Sequence, residues 1–347
     1  MDVAADTDAA VAAIADAVGA ATADGFSGVA RVDVDDRVVH ESAHGLADRA
    51  HAIANTVDTR IGVASGAKGF TALTVLSLVE RGALSLDTTA RSLLGDDLPL
   101  VDAAVTIEHL LSHRSGIGDY LDESTLGDVT DYVMPVPVHR LAGPQDFLPI
   151  LDGYPMTSAP GATFAYNNGA FVLLAILAER AAGRSFYDLV DELVLSPAGL
   201  ERTAFFRHDE LPGDVAVGYL HAEGLRSNVL HVPVRGGGDG GLHTTTGDVA
   251  QLWRSLFAGR IVGRELVAQM VTPHAVSSRG TPYGLGVWLT AGNDAVALEG
   301  YDAGASFRTV HQPSRGITWS VLCNSSNGAW PLAKQFAEIL GTSTPAG

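Results

Sequence analysis

The stretch at residues 62–70, Gly62-Val63-Ala64-Ser65-Gly66-Ala67-Lys68-Gly69-Phe70, contains one of only two lysines in a chain that has 20 arginines. A short strand-like run, RIGVAS, leads up to Ser65, and the segment KGFTALTVLSLVE that follows is apolar on nearly every face until Glu80. This pattern predicts a strand that leads into a helix buried in the middle of a core. Because residues three apart share one face of a helix, Ser65 and Lys68 are expected to meet.

This pair has the chemistry of a nucleophile and its base. A helix N-terminus offers unpaired backbone N–H groups and a partial positive charge, which suit an oxyanion. Among apolar residues, Lys68 would lose part of its preference for the charged form and accept the proton of Ser65, which an arginine could not do. Gly66 and Gly69 are expected to leave room around the hydroxyl. A serine three positions before a lysine can also occur by chance. The interpretation therefore depends on the setting of this pair, between a predicted strand and a predicted helix.

The elements on either side predict how the chain is divided. The segment FSGVARVDVDDRVVHESAHG alternates apolar and polar residues around Asp35 and Asp36, which predicts a hairpin. Strand patterns return near the C-terminus in YGLGVWLT, DAVALEG, SFRTVHQP and ITWSVLCN, before a last helix, WPLAKQFAEIL. We therefore predict an α/β sheet domain built from residues 1–84 and 236–347, interrupted by a mainly helical insertion at residues 85–235.

Bulk composition restricts the function classes. The 347 residues are 46% hydrophobic and 18% charged, as in a globular protein. A formal net charge of −18 disfavours nucleic acid and anionic membrane surfaces as partners. The single cysteine, Cys323, lies in an apolar run and is expected to be a core residue. The N-terminal segment carries aspartates where a secretion signal would be basic, and no run is long enough to span a bilayer, so a cytoplasmic protein is predicted.

Several further stretches, in the same order along the chain, carry a family resemblance: TIEHLLSHRSGI, APGATFAYNNGAFVLLAILAERAAGRSF, GGLHTTTGDVAQL and YGLGVW. With the Ser-x-x-Lys element at Ser65 and Lys68, the sequence resembles the serine β-lactamase and penicillin-binding-protein superfamily, in its branch of class C β-lactamases, DD-peptidases and family VIII esterases. The resemblance covers most of residues 40–330. It implies an α/β (α+β) fold of the β-lactamase/transpeptidase type, an antiparallel sheet flanked by helices.

The second family element is Tyr-x-Asn, matched by Tyr166, Asn167 and Asn168. The resemblance implies that Tyr166 works with Lys68 as general base, and that Asn168 holds the lysine and the substrate by hydrogen bonds. A nearby ammonium is expected to lower the proton affinity of the phenol, so that the two groups share protons. Without the resemblance, the same residues predict a helix start capped by an asparagine.

The third family element, Lys/His-Thr-Gly, is altered. We align Tyr301 with its basic position, Asp302 with its Thr or Ser and Ala303 with its glycine, to within about one position. In β-lactamases and DD-peptidases this strand binds the substrate carboxylate, which Asp302 would repel by a few kcal/mol. A neutral or amine-bearing substrate is therefore expected. The backbone N–H around Gly304 is expected to complete an oxyanion hole with that of Ser65.

Other signals are weaker. His109 and His113 have a metal-ligand spacing, but without the glutamate of the zinc motif they are expected to serve a structural role at a helix end. Residues 236–241, GGGDGG, match a dinucleotide fingerprint by letter but lie outside a βαβ unit, so a glycine turn beside the site fits better. Tyr120 is expected either to line the pocket or to pack in a loop. No metal or organic cofactor is implied.

These observations predict a serine hydrolase that forms an acyl-enzyme from a small ester, amide or peptide substrate. Three alternatives stay open: a transacylase, a β-lactamase or DD-peptidase proper, and a binding or sensor protein that is acylated without turnover.

Overall fold

The computed structural model describes residues 3–123 and 127–342, without the side chains of residues 3–8, so the predicted domain limits at residues 1 and 347 lie outside it. The helices are α1 (Val3–Ala23), α2 (Ala67–Glu80), α3 (Ala90–Leu94), α4 (Ile107–Leu111), α5 (Leu148–Leu151), α6 (Asn168–Ala182), α7 (Phe186–Val190), α8 (Ser196–Ala198), α9 (Thr246–Phe257), α10 (Arg264–Met270) and α11 (Ala329–Leu340). The strands are β1 (Gly28–Val34), β2 (Arg37–His44), β3 (Leu46–Asp48), β4 (Ile53–Ala54), β5 (Ile61–Gly62), β6 (His243–Thr244), β7 (Ala275–Val276), β8 (Pro282–Tyr283), β9 (Trp288–Leu289), β10 (Val296–Asp302), β11 (Ala305–Gln312) and β12 (Ile317–Cys323).

One eight-stranded antiparallel sheet, in the order β2-β1-β12-β11-β10-β9-β8-β7, organises the chain. Its β1 strand, from the N-terminal part, pairs with β12, from the C-terminal part, in a register that runs from Gly28 opposite Cys323 to Val34 opposite Ile317. The sheet is therefore built from both chain ends, which confirms the predicted fold class.

The β1–β2 hairpin follows directly from its two turn residues. Asp35 and Asp36 have φ angles of 48° and 62°, in the left-handed region that two-residue hairpin turns require. Aspartate tolerates this region better than most side chains do. Successive side chains of β1 point to opposite faces of the sheet, so Val29 joins the core on one face and Ala30 and Val32 join the core on the other.

Helices cover both faces of the sheet, because side chains of one strand alternate between them. Val321 contributes to a core with α1 and α11, in which Ile14 and Phe336 are fully buried. Its neighbour Leu322 contributes to a larger core on the opposite face, which also contains Leu73 of α2. No helix in the described ranges has the length and apolar character needed to cross a bilayer.

The larger core also joins the sheet to the predicted insertion. Buried side chains of the insertion at residues 85–235, such as Leu110 and Phe171, belong to the same hydrophobic cluster as Leu73 and Leu298. The division at residues 84 and 236 stays a prediction, and we propose it as a division of chain topology around one shared core.

Two predicted strands are shorter than the sequence indicates. RIGVAS forms a strand only at β5, because Ala64 adopts a φ of 46° and residues Ala64–Gly66 form a 3-10 turn. YGLGVWLT is divided into β8 and β9 by a turn at Gly286, which has a φ of 82°. The predicted strand patterns are correct in place, and backbone turns that the apolar pattern does not encode interrupt them.

Gly300 sets the distance between β10 and the turn that holds Ser65. A Cβ atom at this position would lie 2.0 Å from the Val63 carbonyl oxygen and 2.7 Å from the Ser65 nitrogen. Real Cβ atoms do not approach backbone atoms so closely, so the strand lies against the turn only because residue 300 has no side chain.

We expect Gly300→Ala to lower the free energy of unfolding by about 1–3 kcal/mol, because the added methyl must push β10 away from the turn. Denaturant unfolding measures this change. Gly213→Ala is the matched control, since its Cβ would meet no atom within 4 Å. Equal stabilities of the two variants would contradict the close approach.

Candidate active site

The turn that ends in Gly66 places Ser65 at the N-terminus of α2. Lys68 follows one turn later, and its Nζ donates a hydrogen bond to Ser65 Oγ at 2.8 Å. The spacing of three residues therefore brings the two groups together, as predicted. The expected role of Gly66 and Gly69 is wrong: their missing side chains make room for Phe307 and Leu298 of the sheet, whose atoms would lie 2.5 and 2.6 Å from added Cβ atoms.

Lys68 is only 2% exposed, and its ammonium has neutral partners. Besides Ser65, its Nζ donates to Asn168 Oδ1 at 2.8 Å and to the Asp239 carbonyl oxygen at 2.9 Å. Burial lowers the pKa of Lys68, and nearby carboxylates, that of Asp239 foremost, oppose this effect. Lys68 therefore loses its proton more readily in this site than it would in water.

Tyr166 precedes α6, and its ring centroid lies 5.0 Å from Lys68 Nζ. The ring stacks on Trp288 at a centroid distance of 6.3 Å and contacts His113 at 4.4 Å. Burial raises the pKa of Tyr166 well above its ordinary value, and the charge of Glu123 adds to this, whereas a hydrogen bond with Ser65 acts in the opposite direction. The expectation that Lys68 lowers the phenol's proton affinity is therefore wrong, because burial dominates.

Asn168, at the first position of α6, links the lysine to the loop above it. Its Nδ2 donates to the Leu121 carbonyl oxygen at 2.9 Å and to Glu123 Oε1 at 3.0 Å, which leaves Oδ1 directed at Lys68. The preceding Asn167 caps the helix by accepting a hydrogen bond from the Ala170 N–H at 2.6 Å. Both interpretations of this motif, helix cap and lysine contact, are thus realised by different asparagines.

A cavity of about 240 Å³ opens beside Ser65 and includes every residue predicted for substrate binding. Tyr301 lies at its rim, 37% exposed. Burial raises the pKa of Asp302 to about 7, and the charges of Asp239 and Glu123 add to this. The cavity wall includes Ser65, Asn168, Asp239, Tyr301, Asp302 and Gly304.

Gly304 differs from its expected role. Its N–H donates to Ser326 Oγ at 2.9 Å, so this donor is occupied within the protein. The Gly304 N–H is therefore already engaged, and the expected contribution of the backbone around Gly304 to an oxyanion hole stays a prediction. Its φ of 75° instead identifies it as a turn residue between β10 and β11, and an added Cβ atom there would lie 2.8 Å from the Gly218 carbonyl carbon.

Sequence reasoning missed the acidic residues around Lys68. Asp239 is 8% exposed and accepts a hydrogen bond from Tyr120 OH at 2.7 Å. Asp119 accepts from the N–H groups of Asn168 and Gly169, and burial raises its pKa to about 6. The available signal was the aspartate between the glycines of residues 236–241, a stretch that the sequence predicts as a turn beside the site but to which it gives no role for the acidic side chain.

The two histidines with metal-ligand spacing have separate contacts. His109 caps α4, where its Nδ1 accepts from the Thr106 N–H, and His113 Nδ1 accepts from the Asn167 N–H at 3.1 Å. Within residues 3–123 and 127–342, no group of three or more histidine, cysteine or acidic side chains is arranged to hold a metal.

The chain is similar in sequence and in fold to several known proteins. Esterase EstB of Burkholderia gladioli is 35% identical over 48% of this chain and 44% of its own. A D-aminopeptidase of Brucella anthropi is 28% identical over 92% of this chain and 60% of its own, so this chain spans less than two thirds of either relative. The crystal structure of a penicillin-binding protein from Bacillus halodurans, 34% identical, superposes with a TM-score of 0.86 over 92% of this chain and 99% of that one.

The family model described as Beta-lactamase matches residues 10–342, which include Ser65, Lys68, Tyr166 and the whole cavity wall. This match extends over nearly all of the sheet and the helical region. The chain belongs to the beta-lactamase family.

Proposed function

We propose that this protein is a serine hydrolase that forms an acyl-enzyme through Ser65. One observation carries the proposal: a buried amine lies 2.8 Å from the Ser65 hydroxyl and, among residues 3–123 and 127–342, its hydrogen-bond partners are all neutral oxygen atoms. An amine in that setting is suited to accept a proton, because these partners carry no charge and burial disfavours its charged form.

The reaction proceeds in two halves. Lys68 takes the proton of Ser65 as Oγ attacks the substrate carbonyl carbon. The bond between that carbon and the leaving group then breaks, and the leaving group departs with the proton. In the second half, water attacks the acyl carbon and gives a proton to Lys68; the bond between that carbon and Ser65 Oγ then breaks, the acid product leaves, and Lys68 returns the proton to Oγ. Tyr166 acts as a proton donor and relay, since its raised pKa keeps the phenol protonated.

The substrate proposal follows from the charge of the cavity. Asp302 and Asp239 both line the cavity, and Glu123 lies on the same wall. A substrate carboxylate would meet these groups at close range in a partly desolvated space, whereas a neutral or amine-bearing substrate would not be repelled. We therefore infer an ester, amide or peptide without a penicillin-like carboxylate. The names of the relatives, an esterase and a D-aminopeptidase, agree with this class.

Two other outcomes use the same acyl-enzyme. A transacylase would transfer the acyl group to an added amine or alcohol in competition with water, and product analysis with both present separates the two. A sensor would retain the acyl group, and mass spectrometry after incubation with an activated ester would detect a persistent adduct without product. Efficient penicillin turnover without esterase activity would contradict the substrate proposal.

We expect Ser65→Ala to abolish ester hydrolysis while the fold is retained, because the nucleophile is lost. Initial rates with an activated aryl ester measure the loss, and circular dichroism with thermal unfolding checks the fold. An unchanged rate would mean that the nucleophile lies elsewhere.

Lys68→Arg should lower kcat/KM by about 100- to 10,000-fold, since the charge is retained but the base is lost. The other lysine of the chain provides the matched control. Lys334 is exposed on α11, and Lys334→Arg should leave kcat/KM unchanged. A Lys68→Arg variant as active as this control would refute the proposed base.

Asp302→Asn should reduce the discrimination against anionic substrates by about tenfold, equivalent to about 1.4 kcal/mol. Suitable substrates are alanine aryl esters of both configurations with a free, acetylated or succinylated amine, which differ in charge but share a leaving group. The measurement is the ratio of kcat/KM between the acetylated and succinylated esters.

The pH dependence of this ratio gives an internal control. Since the pKa of Asp302 is raised to about 7, its carboxylate gains charge as the pH rises through 7, and the discrimination should increase there in the parent protein. Asp302→Asn should flatten this increase. The same pH-dependent increase in both proteins would exclude Asp302 as its source.

A further inference from the structure

Asp239 contacts the proposed base through its backbone and faces it with its charge. Its carbonyl oxygen accepts the hydrogen bond from Lys68 Nζ at 2.9 Å, and its carboxylate accepts one from Tyr120 OH at 2.7 Å. Both contacts are buried. This residue therefore couples Lys68 to an acidic group that the proposed reaction does not use.

The position of Asp239 is fixed by the glycine turn. A Cβ atom on Gly237 would lie 2.8 Å from the Phe147 ring, and one on Gly238 would lie 2.7 Å from the Phe171 carbonyl oxygen. Thr71 Oγ1 of α2 donates to the Gly238 carbonyl oxygen at 2.6 Å. The turn is thus packed between α6 and α2, and Asp239 cannot move away from Lys68 without displacing one of them.

Several other titratable groups face Lys68, from three parts of the chain. Burial is the largest effect on the lysine, and among the carboxylates Asp239 has the largest opposing effect. His113 is kept neutral, since burial lowers its pKa well below the ordinary value. The remaining groups are Asp119 and Glu123 of the loop before α5, Tyr166 before α6, and Asp302 at the end of β10.

We propose that Asp239 is a positioning residue that opposes loss of the proton from Lys68, and that it thereby sets the pH above which Ser65 acquires its base. The proposal rests on the proposed function. A carboxylate close to an ammonium stabilises the charged form, so more alkaline conditions are needed to remove the proton. The hydrogen bond from Tyr120 acts in the same sense, because it stabilises the ionised form of Asp239.

The decisive variant is Asp239→Asn, which keeps the shape and can still accept the Tyr120 hydrogen bond but carries no charge. The measurement is the pH dependence of kcat/KM for an N-acetylated alanine aryl ester, which has no titrating group. We expect the acid limb of the profile to move to lower pH by about one unit, which gives a roughly tenfold higher relative rate below the limb.

Asp248→Asn is the matched control. Its carboxylate accepts a hydroxyl hydrogen bond from Thr203 at 2.7 Å, as that of Asp239 does from Tyr120. Asp248 is not among the carboxylates that act on Lys68. The acid limb of this variant should coincide with that of the parent protein.

Tyr120→Phe is the second variant, and it decides the outcome if Asp239→Asn does not fold. Losing the hydroxyl should move the acid limb in the same direction by a smaller amount, because Asp239 then ionises less readily. An acid limb that stays in place or moves to higher pH in folded variants would overturn the proposal. If Ser65→Ala is inactive while Asp239→Asn has the parent profile, only this inference fails; an active Ser65→Ala would remove the proposed function itself.

Discussion

The structure depends on one buried amine. Bringing an ammonium out of water costs several kcal/mol, and Lys68 at 2% exposure offsets that cost through its three hydrogen bonds and the charges of nearby carboxylates. Two of those three bonds come from distant parts of the chain: Asn168 is 100 positions away and Asp239 is 171. The helical region and the glycine turn must therefore both dock on α2 for Lys68 to be satisfied, so the same contacts that complete the fold also assemble the site.

How much of this arrangement was predictable depends on how local each contact is. Ser65 and Lys68 share a helix face, so their spacing alone predicts that they meet. The sheet follows from alternating strands at both chain ends, and the hairpin turn follows from Asp35 and Asp36. The contact of Asn168 with Lys68 crosses the fold, and only the resemblance to a known family indicated it. Nothing in the spacing of Tyr120 and Asp239 indicates that they meet across 119 positions.

The wrong predictions for the glycines and the tyrosine have physical causes that local sequence patterns do not reveal. Gly66 and Gly69 were expected to leave room around the Ser65 hydroxyl, but they make space for Phe307 and Leu298, because α2 packs closely against the sheet. The proton affinity of Tyr166 was expected to be lowered by Lys68, but burial among aromatic rings is the larger effect. Both errors treat a local neighbour as decisive where the packing of the whole core decides.

The carboxylates around the site act on the substrate and on the base through the same electrostatic potential. Negative charge at Asp239, Asp302 and Glu123 favours a cationic or neutral ligand, and it also retains the proton on Lys68. In the proposed function, an amine-bearing substrate placed among these carboxylates would offset part of their charge and so favour release of that proton. Substrate charge and base activation are therefore linked. Any change in this potential that alters the preference for substrate charge must also alter how readily Lys68 loses its proton.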